Sequence, residues 1–404
     1  MQIVIFDDHK RANFYPLTLN RSIGDLRCGI LKLRQRLETA FGSDDSSSVI
    51  IDPILVPLYK ERHPDWLINQ PTDKEKLYLN SRIKLSKEAI KEINTMPNDS
   101  ALINDEIILA AKLKSKNMSF QDDTNTISLP PQTNAITSHI GTYECLSDII
   151  HDNGRMLKWD FENYFDTQDN FFETEPGVTV LHPYNVWIAE GVILNPGVIL
   201  DASEGPIVID EGVKVMHNAV LCGPLYIGKN SLVKIGAKIY GNTSIGPVCK
   251  IGGEIEGSIF QAYSNKQHDG FLGHAYIGEW VNLGADTNNS DLKNTYKNVA
   301  YYSYAHGSKC DSGTQFLGCV IGDHSKTGIN CSINTGTVIG IGCNIWGHDL
   351  FSDFIPDFSW GESKQLVPYK FQAFCETAST VKQRRKLLFS IVEQELYQHI
   401  NSGR

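Results

Sequence analysis

The side chains best suited to chemistry lie in one stretch of the sequence, residues 264–297, where His268, His274, Asn282, Lys293 and Lys297 come close together. A neutral imidazole near pH 7 is the usual general base for taking a proton from an attacking amine. An asparagine amide can hold a substrate hydroxyl, amine or carbonyl, and lysines bind phosphate as point charges. A histidine on a loop is by default a solvated surface residue, so spacing and context must carry any assignment.

Those residues need a scaffold, and the flanking sequence supplies one. From Val178 to about Gly347 a small or aliphatic residue recurs at every sixth position: Val186, Val192, Val198, then after an insertion Ile207, Val213, Ala219, Leu225, Ser231, Ala237, Thr243, Cys249 and Ile255. The column returns as Ala275, Val281 and Thr287, and again as Cys319, Ser325, Cys331, Thr337 and Cys343. A period of six fits neither one helix nor one flat strand. It is the mark of a hexapeptide β-helix, whose triangular coils turn one residue of each unit into a narrow prism. Glycine and Asn, frequent between the column positions, tolerate the left-handed backbone at the corners. The expected element is a left-handed parallel β-helix, interrupted by two excursions over roughly 256–274 and 288–306.

The whole chain has 404 residues, 41% hydrophobic and 21% charged, which allows two or three domains with ample core. A net charge of -10 argues against nucleic acid as the main partner. There is no run of about 18 apolar residues to span a membrane, and the opening MQIVIFDDHKR reads as a strand, not a signal peptide; the expected compartment is the cytoplasm. Four of the nine cysteines fall in the inward column and no CxxC pair occurs, so buried thiols are favoured over metal or disulfides.

Before the β-helix, residues 2–6 read as a buried strand, followed by a polar loop and an amphipathic helix from Ile30 to about Ala40. Residues 42–48 read as a loop and 48–55 as a strand turning into a helix near Pro53. DWLIN and SALINDEIILA read as further strands with the helix SKEAIKEINT between them, an alternation that indicates an α/β domain. Residues 147–165 read as a helix leading into a connector, and Val381–Ile400 as one helix covering the open end of the β-helix, whose last coil otherwise exposes strand edges. The expected domains are 1–175, 176–360 and 361–404.

The segment around His268 resembles the acetyltransferase half of the bifunctional N-acetylglucosamine-1-phosphate uridyltransferase/glucosamine-1-phosphate acetyltransferases. Their motif, H-x-x-Y-[LV]-G-D followed by [IV]-G and V-N-[IL]-G-A-G-T, aligns without a gap from His268 through Phe271, His274, Ile277-Gly278 and Val281-Asn282 to Thr287. The resemblance implies that His268 is the catalytic base, that Asn282 contacts substrate, and that Ala285 lies where backbone and acetyl-CoA meet. It also puts Lys297 on a phosphate-binding lysine and Phe271 on a substrate-facing tyrosine. Phe271 lacks that hydroxyl, His274 replaces an aspartate, Asp286 replaces a glycine, and Asp291-Leu292 replace the Asn-Tyr that opens the next loop.

The N-terminal region resembles sugar nucleotidyltransferases more distantly. Arg11, Pro16-Leu17-Thr18 and Arg21 follow the first strand as in that family, with Arg27 where a substituting cation would stand, but the phosphate-cradling glycines are replaced by DDHKRANFY. LINDE, residues 102–106, resembles the strand end carrying the family's metal ligand. Asp105 is therefore a candidate Mg2+ ligand, equally readable as a solvated turn residue. The run from Arg21 to Ile30 matches the signature R-x-x-x-D-L-R-x-G-I of a divergent group that joins such a domain to an acetyltransferase-type β-helix.

Taken together the resemblance implies an α/β nucleotidyltransferase-like domain, a left-handed β-helix and a helical tail, assembled as a homotrimer. It implies acetyl transfer from acetyl-CoA to an amino sugar 1-phosphate, with formation of a nucleotide sugar from NTP and sugar 1-phosphate as a second activity. The partners would be small sugar phosphates and nucleotides, without nucleic acid or membrane. Two alternatives stay open: a single-activity protein whose N-terminal domain only binds sugar nucleotide, and a non-catalytic β-helix scaffold.

Overall fold

The computed structural model describes residues 1–403 except 43–46, 71–73, 115–116, 122–125, 168–169 and 171–174. The loop expected over 42–48 and the expected boundary near 175 therefore lie partly outside the described residues.

The apolar run QIVIF forms β1 (Gln2–Phe6), buried at the centre of a sheet that also contains β2 (Ser48–Ile50), β3 (Leu67–Ile68) and β4 (Lys76–Asn80). The stretch read as a single strand around residue 105 is two, β5 (Ser100–Asn104) and β6 (Ile107–Leu113), paired antiparallel about a turn in which Asp105 takes left-handed backbone at φ 51°. A small hairpin, β7 (Ser119–Gln121) with β8 (Thr126–Ser128), stands apart, and β9 (Asn134–Thr137) closes the main sheet in the order β3-β2-β1-β4-β6-β5-β9. The sequence reading misses β4 because KLYLN is buried along its whole length and shows no alternation.

The helices are α1 (Leu33–Phe41), α2 (Val56–Arg62), α3 (Lys87–Thr95) and α4 (Leu146–Asp160). The Ser86 hydroxyl caps α3 by accepting from the Ala89 amide, and Gly42 ends α1 in the left-handed region.

Residues 179–361 wind as a parallel β-helix with three faces, one of them a continuous ladder of nine strands. The column residues point inward: Val198, Ile207, Val213, Ala219, Leu225, Ala237, Thr243 and Cys249 are all 0% exposed, and Cys319, Cys331 and Cys343 are likewise buried. A second inward column two residues further on carries the larger side chains, among them Ile188, Leu200, Ile209, Leu221, Ile227, Ile239 and Ile251. Ile255 belongs to that second column, because one coil is shortened and Ile255 pairs with Ile239.

Only one excursion leaves the coils. Residues 256–274 stay within them as strands Ile259–Ala262, Asn265–Lys266 and Phe271–Gly273, joined by tight turns. The chain departs after Asn288–Asn289, forms a hairpin from Ala300–Ser303 and Ser308–Asp311, and resumes at Val320–Ile321. One corner of the prism places non-glycine residues at positive φ, including Val248 (61°), Tyr263 (55°), Trp280 (61°) and His324 (60°). Stacking of Tyr263 on Trp280, with ring centroids 4.4 Å apart, and burial under the tail hold that strained column.

The tail corrects the expectation of one capping helix. It is two, α5 (Phe371–Gln383) and α6 (Ile391–Ser402), broken where Lys386 adopts φ 59°. Phe374, Phe389 and Tyr397 pack against His324 on the flank of the prism, while Leu396 joins the core of the N-terminal sheet. The end of the β-helix is covered instead by the strand Gln365–Pro368, which folds back antiparallel on Ser359–Glu362. Among the described residues no helix is long and apolar enough to cross a membrane.

The signature run 21–30 docks the N-terminal sheet onto the nine-stranded face. Both Arg21 guanidinium nitrogens donate to Asp323, the Arg27 amide donates to Gln261 Oε1 (3.1 Å) and Tyr276 Oη (2.8 Å), and the Gly29 carbonyl accepts from Ser244 Oγ (2.9 Å).

Candidate functional site

The residues singled out by sequence separate onto two corners of the prism. At the first, the turn 267–270 stacks on the turn 284–287, with the Asp286 amide donating to the Asp269 carbonyl at 3.0 Å. This brings His268, Asn282 and Ala285 together. His268 is exposed, and its ring makes no hydrogen bond to another described residue. Asn282 bridges the strand segments of Asn265 and Lys326, and its Oδ1 accepts from Asn265 Nδ2 at 3.3 Å. The Ala285 carbonyl accepts from the Asn330 amide (2.8 Å), which fixes the peptide at that turn.

Beneath this corner lies a residue the sequence reading overlooked. Lys266 occupies a position of the larger inward column, beside Ile251, and is 1% exposed. Its Nζ donates to the His268 carbonyl at 2.9 Å, pinning the turn that carries the imidazole. Burial lowers its pKa to about 8 from the ordinary 10.5, against the raising influence of Asp269 and Asp286. Between those values the unfolded chain binds one more proton than the folded one at this site, so its contribution makes stability rise with pH through about 8 to 10.5. Denaturant midpoints of the wild type should therefore gain on those of Lys266→Met across that window. A gap that stays constant with pH would refute the assignment.

The second corner lies at the other end of the short strand Phe271–Gly273. There His274 Nδ1 meets Asp291 Oδ2 at 2.8 Å, with the Phe316 ring 5.2 Å away and His151 of α4 6.1 Å away. The substitutions that depart from the family motif, His274 and Asp291, are thus partners of each other. Phe271 is half-buried on the face between the corners, its amide held by Asn288 Oδ1 at 2.8 Å. Lys297 is exposed on the excursion, which leaves the prism at this second corner and not beside His268. Within one chain the fold does not bring Lys297 to the His268 turn.

Two expectations for the N-terminal region are corrected. Arg21 and Arg27 are not available to a ligand: they are 4% and 5% exposed and committed to the docking surface, Arg27 to the Ile30 carbonyl and over the Tyr226 ring, Arg21 to Asp323. Asp105 is exposed at the tip of the β5–β6 turn, its carboxylate directed by no described partner. Arg11 does line a cleft, with Nη2 on Asp52 Oδ2 at 2.5 Å and Nη1 on the Thr18 carbonyl at 2.6 Å.

At the C-terminal ends of β1 and β4 the protein's own polar groups pack against one another. Residues 9–14 form a short 3-10 helix where a glycine loop would be needed. Asp7 accepts from the Ser22 and Ser81 hydroxyls and is pushed up to about 6 by burial. Burial opposes the charge of Asp8, yet Arg82 and Asn80 hold it below the ordinary carboxylate value. A cavity of about 450 Å3 remains, lined by Asp8, His9 and Glu106, and among its described residues there is no lysine or arginine. No group of three or more His, Cys, Asp or Glu among the described residues is placed to share a metal ion.

Residues 3–168 match the model of the family described as sugar nucleotidyl transferase. The bifunctional protein GlmU of Synechococcus sp. (strain CC9311) is 29% identical over 184 residues, 45% of this chain and 35% of that protein. GlmU of Anaplasma marginale (strain Florida) is 27% identical over 194 residues, 44% of this chain and 41% of that protein. A bifunctional sugar-1-phosphate nucleotidylyltransferase/acetyltransferase of Sulfurisphaera tokodaii is 34% identical over 93 residues, 23% of each. The chain thus spans less than half the length of these curated relatives. Among solved structures, UDP-N-acetylglucosamine acyltransferase from Campylobacter jejuni aligns over 57% of this chain and 90% of its own at 14% identity and a TM-score of 0.28, which sets no residue correspondence. The N-terminal α/β sheet thus matches the sugar nucleotidyl transferase model, and part of the chain is similar to the bifunctional GlmU proteins.

Proposed function

We propose that this protein transfers an acetyl group from acetyl-CoA to the amine of an amino sugar 1-phosphate at the corner holding His268, Asn282 and Ala285. The observation that supports it is the stacking of the 267–270 turn on the 284–287 turn, which gathers those residues on one edge of a hexapeptide β-helix. The amine nitrogen attacks the thioester carbonyl, forming a C–N bond. His268 takes the amine proton, the C–S bond breaks, and CoA leaves as a thiolate that the imidazolium can protonate. Asn282 positions the acceptor, and the Ala285 turn presents backbone to the pantetheine arm. The decisive assay is thiol release from acetyl-CoA with glucosamine 1-phosphate and related amino sugars; no release above the uncatalysed background would sink this reading.

The active unit is a homotrimer. Ile235 and Ile329, 62% and 63% exposed, lie on turns of the same corner as His268, on either side of it along the prism. Exposed isoleucines beside a catalytic edge fit a contact between subunits, and a neighbouring subunit is the natural source of the phosphate-binding cation that Lys297 does not supply in its own chain. Light scattering should give three times 45.1 kDa; a monomeric mass at micromolar concentration would overturn the assembly.

The N-terminal domain, which matches the sugar nucleotidyl transferase model, forms a nucleotide sugar from NTP and sugar 1-phosphate as a second activity; the Asp8–Arg82 pair favours the alternative in which it only binds sugar nucleotide. One observation favours a second reading of the base. His274 already has a carboxylate on Nδ1, the arrangement that orients an imidazole for proton transfer from Nε2.

A further inference from the structure

A cleft lies apart from both corners, where the N-terminal domain, the excursion hairpin and α6 meet. Its volume of about 830 Å3 is in the range of small-molecule sites. One wall is aromatic. Tyr302 lies flat on Phe354, with centroids 3.9 Å apart and planes 13° apart. Tyr304 stands edge-on to Phe354 at 5.2 Å and to Tyr15 at 5.8 Å. These contacts fix the rings in place before any ligand arrives.

The charged groups are two carboxylates, Asp52 and Asp357, and one guanidinium, Arg11. Asp357 accepts from the Tyr304 hydroxyl at 3.0 Å and from the Ile341 amide at 2.7 Å. Asp52 holds Arg11, so the guanidinium charge is already neutralised. His399, exposed on α6, stands at the rim. A phosphate would meet two carboxylates and no uncommitted lysine or arginine. A hydroxylated ring is better matched, since its C–H face can lie on the aromatic wall while its hydroxyls donate to carboxylates.

We propose that this cleft is a second ligand site, for the unphosphorylated pyranose ring of a sugar, either free or as the sugar moiety of a larger conjugate. It is separate from the acetyl-transfer corner and does not depend on that assignment. Its walls come from all three parts of the chain, so an occupant also ties them together and should raise the unfolding temperature.

The experiment is saturation-transfer NMR with calorimetric titration of the full-length protein, using glucose, glucosamine, N-acetylglucosamine, glucose 1-phosphate and a UDP-linked hexose. The wild type should bind at least one unphosphorylated sugar saturably, and Tyr302→Leu should weaken it about tenfold or more by removing the stacking platform. Tyr304→Phe, which keeps the wall and the fold, should weaken it less, and Asn282→Ala should leave it unchanged. Stronger binding of the UDP-linked hexose that is still lost in Tyr302→Leu would identify a conjugate as the source; tight binding of the free sugar alone would identify the monosaccharide. Absence of binding by every unphosphorylated sugar would overturn the proposal. So would binding confined to phosphorylated ligands, binding unchanged in a folded Tyr302→Leu protein, or loss of binding in Asn282→Ala.

Discussion

His268→Ala should lower acetyl transfer by about 10²–10⁴-fold while leaving the affinity for acetyl-CoA nearly unchanged, because the imidazole acts on the amine proton and not on CoA. The ring is exposed on its turn and free of hydrogen bonds to described residues, so alanine there removes chemistry without leaving a buried group unpaired. Asn282→Ala should weaken acceptor binding as well as turnover. His274→Ala tests the competing base. It breaks the contact with Asp291, which is 14% exposed, and so carries a modest stability cost. Rates measured as thiol release, with CoA titrations and unfolding curves on the same preparations, separate the outcomes. If His274→Ala is folded yet inactive while His268→Ala turns over normally, the base belongs to the His274–Asp291 pair, and the motif register marks only a turn.

Arg21→Ala should destabilise the protein by about 3–5 kcal/mol, the usual cost of removing one partner from a buried ion pair. Asp323 would keep the Asn20 amide (2.9 Å) and the Glu279 amide (2.9 Å) but lose both guanidinium donors in a place where water cannot replace them. Burial disfavours the Arg21 charge, and Asp323 with Glu279 more than compensates, holding the arginine charged. The loss should appear as a lower denaturant midpoint in which the N-terminal sheet separates from the β-helix. Arg21→Lys, which keeps the charge but not the fork, should fall between. An unchanged midpoint in Arg21→Ala would remove the docking role and return Arg21 to the list of ligand-binding candidates.

These two arginine and histidine positions show how differently a motif can be read. The hexapeptide column was legible because its cause is local and repetitive: every coil must place a small residue at the same narrow point of the prism, so the constraint is written at six-residue spacing in interrupted runs between Val186 and Cys343. The first strand and α3 were legible because their apolar patterns are likewise local. The gathering of His268, Asn282 and Ala285 followed from the coil length alone, once the β-helix was granted.

What the sequence by itself determined is therefore the repeat, the fold class and the corner that carries His268 and Asn282. Only the tertiary structure decided what the non-repeating residues do. Arg21 and Arg27 look like phosphate ligands in a string of letters, but the fold sets the Arg21 guanidinium on Asp323, 302 positions away, and turns the Arg27 guanidinium to the Ile30 carbonyl and the Tyr226 ring. Lys266 looks like any surface lysine until the pairing of its strand with Lys250–Ile251 turns it inward. His274 and Asp291 are unremarkable substitutions until one turn of the prism sets them 2.8 Å apart. Periodic packing is a short-range constraint and leaves a periodic trace. Buried charge pairing is long-range, leaves no spacing in the sequence, and is fixed only when the domains close on each other.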